Sequence, residues 1–335
     1  MRNIKKIFFI ILIALFIPVS VFAQAKVFNL KRADFGGPNE PFVKNGTLYL
    51  KEIEKRTNGQ VKFTYFTSGS LLKGNESYEG VVKGIADMSF TLMGYTTGRF
   101  PLTQLWDIPG PVMETIIGTR ILNEMYQKFK PAELSDTTFM YAFQFPGAHL
   151  FNTVHPVKTL ADLRDLRVRC FGVTTTILKS MGAIPLAMEA GEQAEGLQKG
   201  TINGTVAGTT VKTYKLVPPL KYATLAPLTA ATGLLVMNSK TWNSLPSDIQ
   251  QVFREVNKEW MIKDAQGAID SSDEGIAWAK EKGVQIIEAT SEYLAGRDKG
   301  IGVLYDEYLK ETQKRGVDGR TFLNEYSRLA KEYQK

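Results

Sequence analysis

One stretch constrains the fold more than any other: LPSDIQQVFREVNKEWMIKDAQGAIDSSDEGIAWAKEKG, residues 245–283. Ile249, Val252, Phe253, Val256 and Trp260 recur at helical spacing over several turns, and Ser247 with Gln250 three residues on has the form of a capping box. Elsewhere the chain reads as short strands alternating with short helices. A helix this long among them is expected to span two lobes.

The alternation begins with KVFNLKR (26–32), a strand, followed by a helix over 41–59 whose face carries Phe42, Val43, Leu48, Tyr49 and Ile53 and which stops at Asn58-Gly59. QVKFTYFT (60–67) alternates as a strand, SYEGVVKGI follows as a helix, and ADMSFTLMGY (86–95) reads as the next strand. The second half repeats the pattern: DLRVRCFGV strand, TTTILKSMG helix, AIPLAME strand, GEQAEGLQKG helix, TINGTVAG strand and loop. The apolar stretch 223–238 is interrupted by Pro227 and dotted with threonines, which predicts buried strands rather than a membrane span. Strands alternating with helices imply mostly parallel sheets covered on both faces.

Residues 1–23 stand apart. Arg2, Lys5 and Lys6 precede an apolar run from Ile7 to Ile17, then Pro18 and small residues, which is the pattern of a secretory signal peptide cleaved after Ala23. The formal charge of +7 falls to +4 once those three basic residues leave. The excess is spread along the chain without a basic stripe, so nucleic acid is not an expected partner; attraction of small anions is. A single cysteine, Cys170, forbids an internal disulfide although the export signal points to an oxidising compartment. The remaining length, roughly 310 residues, exceeds one ordinary core and predicts two.

Catalytic and metal signatures are missing. His149 and His155 are the only histidines, each read as a loop residue, and neither CxxC nor HExxH occurs. No GxSxG surrounds a serine, and TSGSLLKG (67–74) lacks the form of a phosphate loop. Glu189, Glu192 and Glu195 are spaced as acids of a first helical turn facing water. Neither an enzyme activity nor a cofactor is expected.

The stretch DLRDLRVRCFG (162–172) is different. Alternation along the strand puts Arg167, Arg169 and Phe171 on one side and Val168 and Cys170 on the other. Arg167 opens the strand and Arg169 lies near its carboxyl end, where open α/β sheets bind ligands. Spacing alone leaves two readings of Arg169: a surface salt bridge, or a group aimed at a ligand. Cys170 reads as a small buried side chain.

HPVKTLADLRDLRVRCFG (155–172), followed by LKSMGAIPLAMEAGEQAEGLQKGTINGTV (178–206), resembles the signature region of solute-binding proteins of tripartite ATP-independent periplasmic (TRAP) transporters, the DctP family. Pro156, Lys158, Asp162, Leu166, Arg169, Pro185, Glu192, Gln198 and Gly204 stand at matching positions, and RFPLTQLWDIPG (99–110) and MNSKTWNSLPSDIQQVF (237–253) are similar to further family segments. The resemblance implies a two-lobed periplasmic-binding-protein fold of the type II kind, each lobe a mixed, mostly parallel sheet flanked by helices. Lobe I is expected from 24–147 plus about 236–270 and lobe II from 148–235 plus about 271–335, with the ligand cleft between them. It also implies a periplasmic receptor, expected to be a monomer, that delivers a small organic acid to a permease made of a small and a large membrane subunit.

In that family the arginine at the position of Arg169 pairs the substrate carboxylate. The sequence departs from the family pattern at Asp165, Ala194, Gly196 and Asn203, and TVAGTT (205–210) replaces a segment whose asparagine contacts substrate in many members. The companions expected around Arg169 are Phe35 and Asn39 after the first strand, Gly94 and Tyr95 after the third, Phe145 and His149 near the crossover, Phe171 beside the arginine, and Thr209 and Thr210 in the altered loop. Four aromatics among them suit an acid with an apolar or aromatic body. Binders of C4-dicarboxylates or sugar acids, and binding proteins of the ATP-driven transporter class, are the alternatives.

Overall fold

The computed structural model describes residues 26–110, 112 and 114–334; the signal segment and its cleavage point lie outside the described residues. The chain opens with β1 (Phe28–Asp34), α1 (Pro41–Arg56), β2 (Val61–Phe66), α2 (Ser77–Val82) and β3 (Met88–Leu92). Next come α3 (Thr115–Phe129) and β4 (Thr137–Gln144), then a crossing to β5 (His149–Asn152). The second unit continues through β6 (Arg167–Cys170), α4 (Thr174–Met181), β7 (Ile184–Ala187), α5 (Gln193–Gln198), β8 (Gly204–Ala207), α6 (Thr210–Thr213) and β9 (Tyr222–Thr224). The chain returns with β10 (Thr232–Asn238) and α7 (Ser239–Ser244) and runs through α8 (Ser247–Glu281) to β11 (Gln285–Ile287), α9 (Ser291–Lys314) and α10 (Gly319–Tyr333).

Two sheets result. The first has the order β2-β1-β3-β10-β4 and the second β11-β9-β5-β8-β6-β7. In each, one strand contributed after a crossing between sheets, β10 or β5, runs antiparallel to both neighbours while the other pairings are parallel. Helices lie over both faces, and β3 and β10 are buried along their whole length, including the polar Ser89, Thr91 and Thr232.

α1 shows why the local sequence folds as it does. Pro41 occupies its first turn, where a missing N–H costs nothing, and Phe42, Val43, Tyr49, Leu50 and Ile53 bury one face. Leu48, expected on that face, points to solvent and is exposed. The helix ends at Arg56, and Asn58 and Gly59 then take positive φ, turning the chain into β2.

The long element is a single helix that packs on α1 and β4 of the first unit and on α6 of the second. Its first half buries Ile249, Phe253, Val256 and Trp260, and its second half turns to small residues, Ala265, Ala268, Ser272, Gly275 and Ala279. Gly275 has a steric reason: a Cβ there would come within 2.9 Å of the Gly208 carbonyl. The capping box does not form. Pro246 takes the cap position without a side-chain bond, and Gln250 Nε2 instead donates to the carbonyls of Trp242 and Leu245 at 2.9 and 3.2 Å.

α8 crosses between the lobes, as do the segments 145–148 and 225–231. These run side by side, Phe145 N–H donating to Ala231 O at 2.8 Å and Leu228 N–H to Ala148 O at 2.9 Å. Paired strands of this kind at the foot of a cleft suit a hinge. α9 packs on α4, and α10 returns to lie against α3 and α9. Among the described residues, no helix is long and apolar enough to cross a membrane.

Candidate ligand cleft

β6 ends in the cleft between the two sheets. Val168 and Cys170 point into the core and are buried completely, while Arg169 points the other way and is still only 1% exposed. Burial holds the Cys170 thiol pKa up, and its sulfur lies 3.5 Å from Thr175 Oγ1, so this side chain packs. Arg167 is exposed and bonds the carbonyls of Thr201 and Gly200.

Arg169 is held by oxygen atoms without formal charge. Nε donates to Met188 O at 3.0 Å, Nη1 to Val206 O at 3.5 Å and Nη2 to the Tyr95 hydroxyl at 3.4 Å, while the guanidinium carbon lies 5.1 Å from the centre of the Phe171 ring. A guanidinium has five N–H donors, so one remains on each terminal nitrogen. Among the described residues no carboxylate lies within 4.0 Å of it, which removes the surface salt bridge as its role. A desolvated cation with a donor left over on each terminal nitrogen is chemically suited to a carboxylate.

The space beside it, counting its open mouth, is about 590 Å³. Its walls are aromatic: Phe35, Phe42, Tyr95, Phe145 and Phe171 line it, with ring centres 5.3 Å apart for Phe35 and Tyr95 and 5.1 Å for Tyr95 and Phe171. Thr209, Thr210 and Thr229 supply hydroxyls, and Thr210 Oγ1 is buried without a hydrogen-bond partner.

Of the residues expected from sequence, the fold therefore brings Arg169, Phe35, Tyr95, Phe145, Phe171, Thr209 and Thr210 together on one cavity. Gly94 lies just outside, on the wider space that opens beyond Tyr95 and Phe171. Asn39 is an exposed turn residue and does not reach the wall. His149 is not a loop residue but the first residue of β5; it is absent from the wall, its Nδ1 is buried without a partner, and burial pulls its pKa below the usual value.

The lobes meet across this cavity. The Ala190 N–H donates to the Tyr95 hydroxyl at 3.0 Å and the Asn75 N–H to Glu189 Oε1 at 3.3 Å, joining opposite sides of the cleft. Glu192 and Glu195 face water as expected, but Glu189 is half-buried in this contact. Backbones touch at Gly94 and Gly172: a Cβ on Gly172 would sit 2.9 Å from Gly94 Cα, and Gly172 has φ +55°. The conformation is closed.

Several wall residues were not among those expected from sequence, Phe42, Thr229 and Glu40 among them. Glu40 is 3% exposed and lines the cavity from the first lobe. Burial pushes its carboxyl up to about 7, against the pull of Tyr214 and Arg169 from the second lobe. It sits in GGPNEPF, which reads as a polar turn, and only the second lobe folding over it makes it buried.

Two sheets joined by paired crossings, closing over an aromatic cavity with a free guanidinium, define a two-lobed solute-binding protein. The chain belongs to the DctP family: residues 33–312 match the family described as bacterial extracellular solute-binding protein, family 7. This is the receptor component of TRAP transporters, and DctP-family proteins are periplasmic. A solute-binding protein of Verminephrobacter eiseniae is 27% identical over 254 residues, covering 72% of this chain and 73% of the relative. Among solved structures, a TRAP periplasmic solute-binding protein of Desulfovibrio salexigens superposes with a TM-score of 0.80 at 26% identity, covering 91% of this chain and 96% of that one. A Rhodoferax ferrireducens protein in complex with copurified benzoate gives 0.85 at 22% identity, covering 92% and 99%. A marine metagenome protein specific for aromatic acid ligands, in complex with 3-hydroxybenzoate, gives 0.85 at 22% identity, covering 92% and 100%.

Proposed function

We propose that this protein captures a small organic acid with an apolar or aromatic body, seating its carboxylate on Arg169 and its body against Phe35, Tyr95, Phe145 and Phe171. The single observation that carries this reading is Arg169 itself, 1% exposed and without a carboxylate partner. In a closed cleft such a cation is stabilised by an anionic ligand and strained without one, so ligand binding and closure are linked as a population shift. Thr209 and Thr210 are the hydroxyl contacts in this reading. Benzoate and 3-hydroxybenzoate in two proteins of the same fold support an aromatic body.

The loaded receptor would then dock on a TRAP permease of small and large membrane subunits, whose transport is driven by an ion gradient, and catalysis has no part in it. The reading includes a monomer in the periplasm, released by cleavage after Ala23. Lobe I is taken as 24–147 with about 236–270, and lobe II as 148–235 with about 271–335.

Calorimetric titration of the purified protein with benzoate and with benzamide tests the carboxylate contact. The two differ in charge and hardly in shape. Benzoate is expected to bind and benzamide to bind at least about a hundred-fold more weakly, given roughly 1.5–3 kcal/mol for each charge-assisted hydrogen bond; equal binding of the two would overturn the assignment.

A further inference from the structure

The cavity wall carries two charged side chains, Arg169 and Glu40, and they come from opposite lobes. Arg169 answers a carboxylate; Glu40 meets the Tyr214 hydroxyl but has no cation against it. It stands at the cap position of α1, where an acidic side chain ordinarily accepts from the helix N–H groups, but it makes no capping bond. Instead the side chain turns into the cleft, its Cγ within 3.1 Å of where a Cβ on Gly36 would lie. Among the described residues no lysine or arginine comes within 4.0 Å of it.

The groups that face it are Tyr214, after α6, which interacts directly with the carboxyl, and Arg169 and Tyr95 at longer range. The Tyr214 hydroxyl takes up part of what the buried carboxyl can accept, and a carboxyl with no ion-pair partner has room for a further donor from the cleft. Whether ionised or protonated, a carboxyl keeps an oxygen that accepts.

Resting on the carboxylate reading of Arg169, we propose that Glu40 is the second ligand-reading group of the cleft, accepting a hydrogen bond from an O–H or N–H on the ligand body. The acids captured are therefore monocarboxylates that carry such a donor away from the carboxylate. A second carboxylate at that place meets a like charge and is disfavoured. The specificity is thus split between lobes: the second lobe reads the anion, and the first reads the donor.

Matched pairs test this. Calorimetric titration at pH 8 would compare benzoate with its 3- and 4-hydroxy derivatives, cyclopentanecarboxylate with 5-oxoproline, and benzoate with benzene-1,3-dicarboxylate. In the natural protein at least one donor-bearing acid is expected to bind about ten-fold or more tightly than its parent, and the dicarboxylate more weakly than benzoate. Glu40→Gln, which keeps shape and a neutral acceptor, should shrink the donor's advantage and relieve the dicarboxylate; Glu40→Leu, which removes the acceptor, should erase the advantage. Donor acids no tighter than their parents, or an advantage that survives in both variants, would overturn the proposal while leaving Arg169 as the carboxylate contact. If the natural protein binds none of these acids, the reading of Arg169 fails and this proposal fails with it.

Discussion

Each lobe buries one arginine on a strand, and the two are used in opposite ways. Arg32 on β1 and Arg169 on β6 are both 1% exposed. Arg32 is closed off within its own lobe: Nη2 lies 2.9 Å from Asp34 Oδ2, Tyr65 donates to the same carboxylate at 2.6 Å, and the rings of Tyr49 and Tyr65 lie over the guanidinium. Its Nη1 has no partner, but its charge is compensated. Arg169 is bonded by two carbonyls and a hydroxyl and stands on a cavity. The same residue type at the same burial is ion-paired within one lobe and, in the proposed reading, a binding group in the other. The difference is whether an anion was built in beside it.

That contrast can be broken most forcefully at Arg32. Arg32→Ala strands the Asp34 carboxylate in the core, and loss of one partner of a buried pair costs about 3–5 kcal/mol. Urea unfolding is expected to show a loss of that size, with Asp34→Ala less harmful in the Arg32→Ala background than alone. An Arg32→Ala protein with its midpoint unchanged would dissolve the distinction.

Acidity sharpens it next. Asp264, which accepts from Tyr141 at 2.7 Å near Arg32, Asp107 under Thr232, and Glu40 near Arg169 are each pushed up to about 7 by burial. The folded protein holds protons on these groups over the range in which the unfolded chain has released them. Their contribution to stability is full below the ordinary carboxylate values and is lost as pH rises through about 7. His149, pulled below its usual value, acts in the opposite sense, as one group against three. The melting temperature is expected to fall between pH 5 and pH 7.5, and Asp264→Asn to flatten that slope; a melting temperature that rises over the interval would contradict the assignment.

The smallest effect is at the lobe contact. Gly172→Ala adds a Cβ 2.9 Å from Gly94 Cα at a position with φ +55°. The left-handed conformation costs about 1 kcal/mol for a residue other than glycine, in open and closed forms alike. The contact itself exists only when the lobes meet. Affinity for benzoate is therefore expected to drop several-fold while the ligand-free protein loses no more than about 1 kcal/mol of stability; an unchanged affinity would show that the contact does not limit closure.

Much of this molecule was legible from local pattern. Period-two strands, the 3.6-period face of α8 and the side on which Arg169 points all follow from near neighbours in the chain, and the structure has them. What local pattern could not give depends on the other lobe. Glu40 reads as a turn acid until Tyr214 and Arg169 come across to it, and Glu189 reads as a solvated helix acid until Asn75 reaches it. The short strand β5 was hidden for a related reason: four residues around His149 become a strand only by pairing with β8 and β9. The capping box expected at Ser247 gives way to Gln250 donating to the carbonyls of Trp242 and Leu245.

The most direct test of the claim that Arg169 waits for an external anion is the thermal melting of Arg169→Ala with and without a saturating aromatic monocarboxylate that stabilises the natural protein. Binding to the folded state alone raises its melting temperature in proportion to RT ln(1 + [L]/Kd). With the cation gone, the ligand-free variant should melt at or above the natural protein, and the ligand-induced rise should vanish. A variant that melts lower, as Arg32→Ala should, but keeps its full ligand-induced rise would contradict the account.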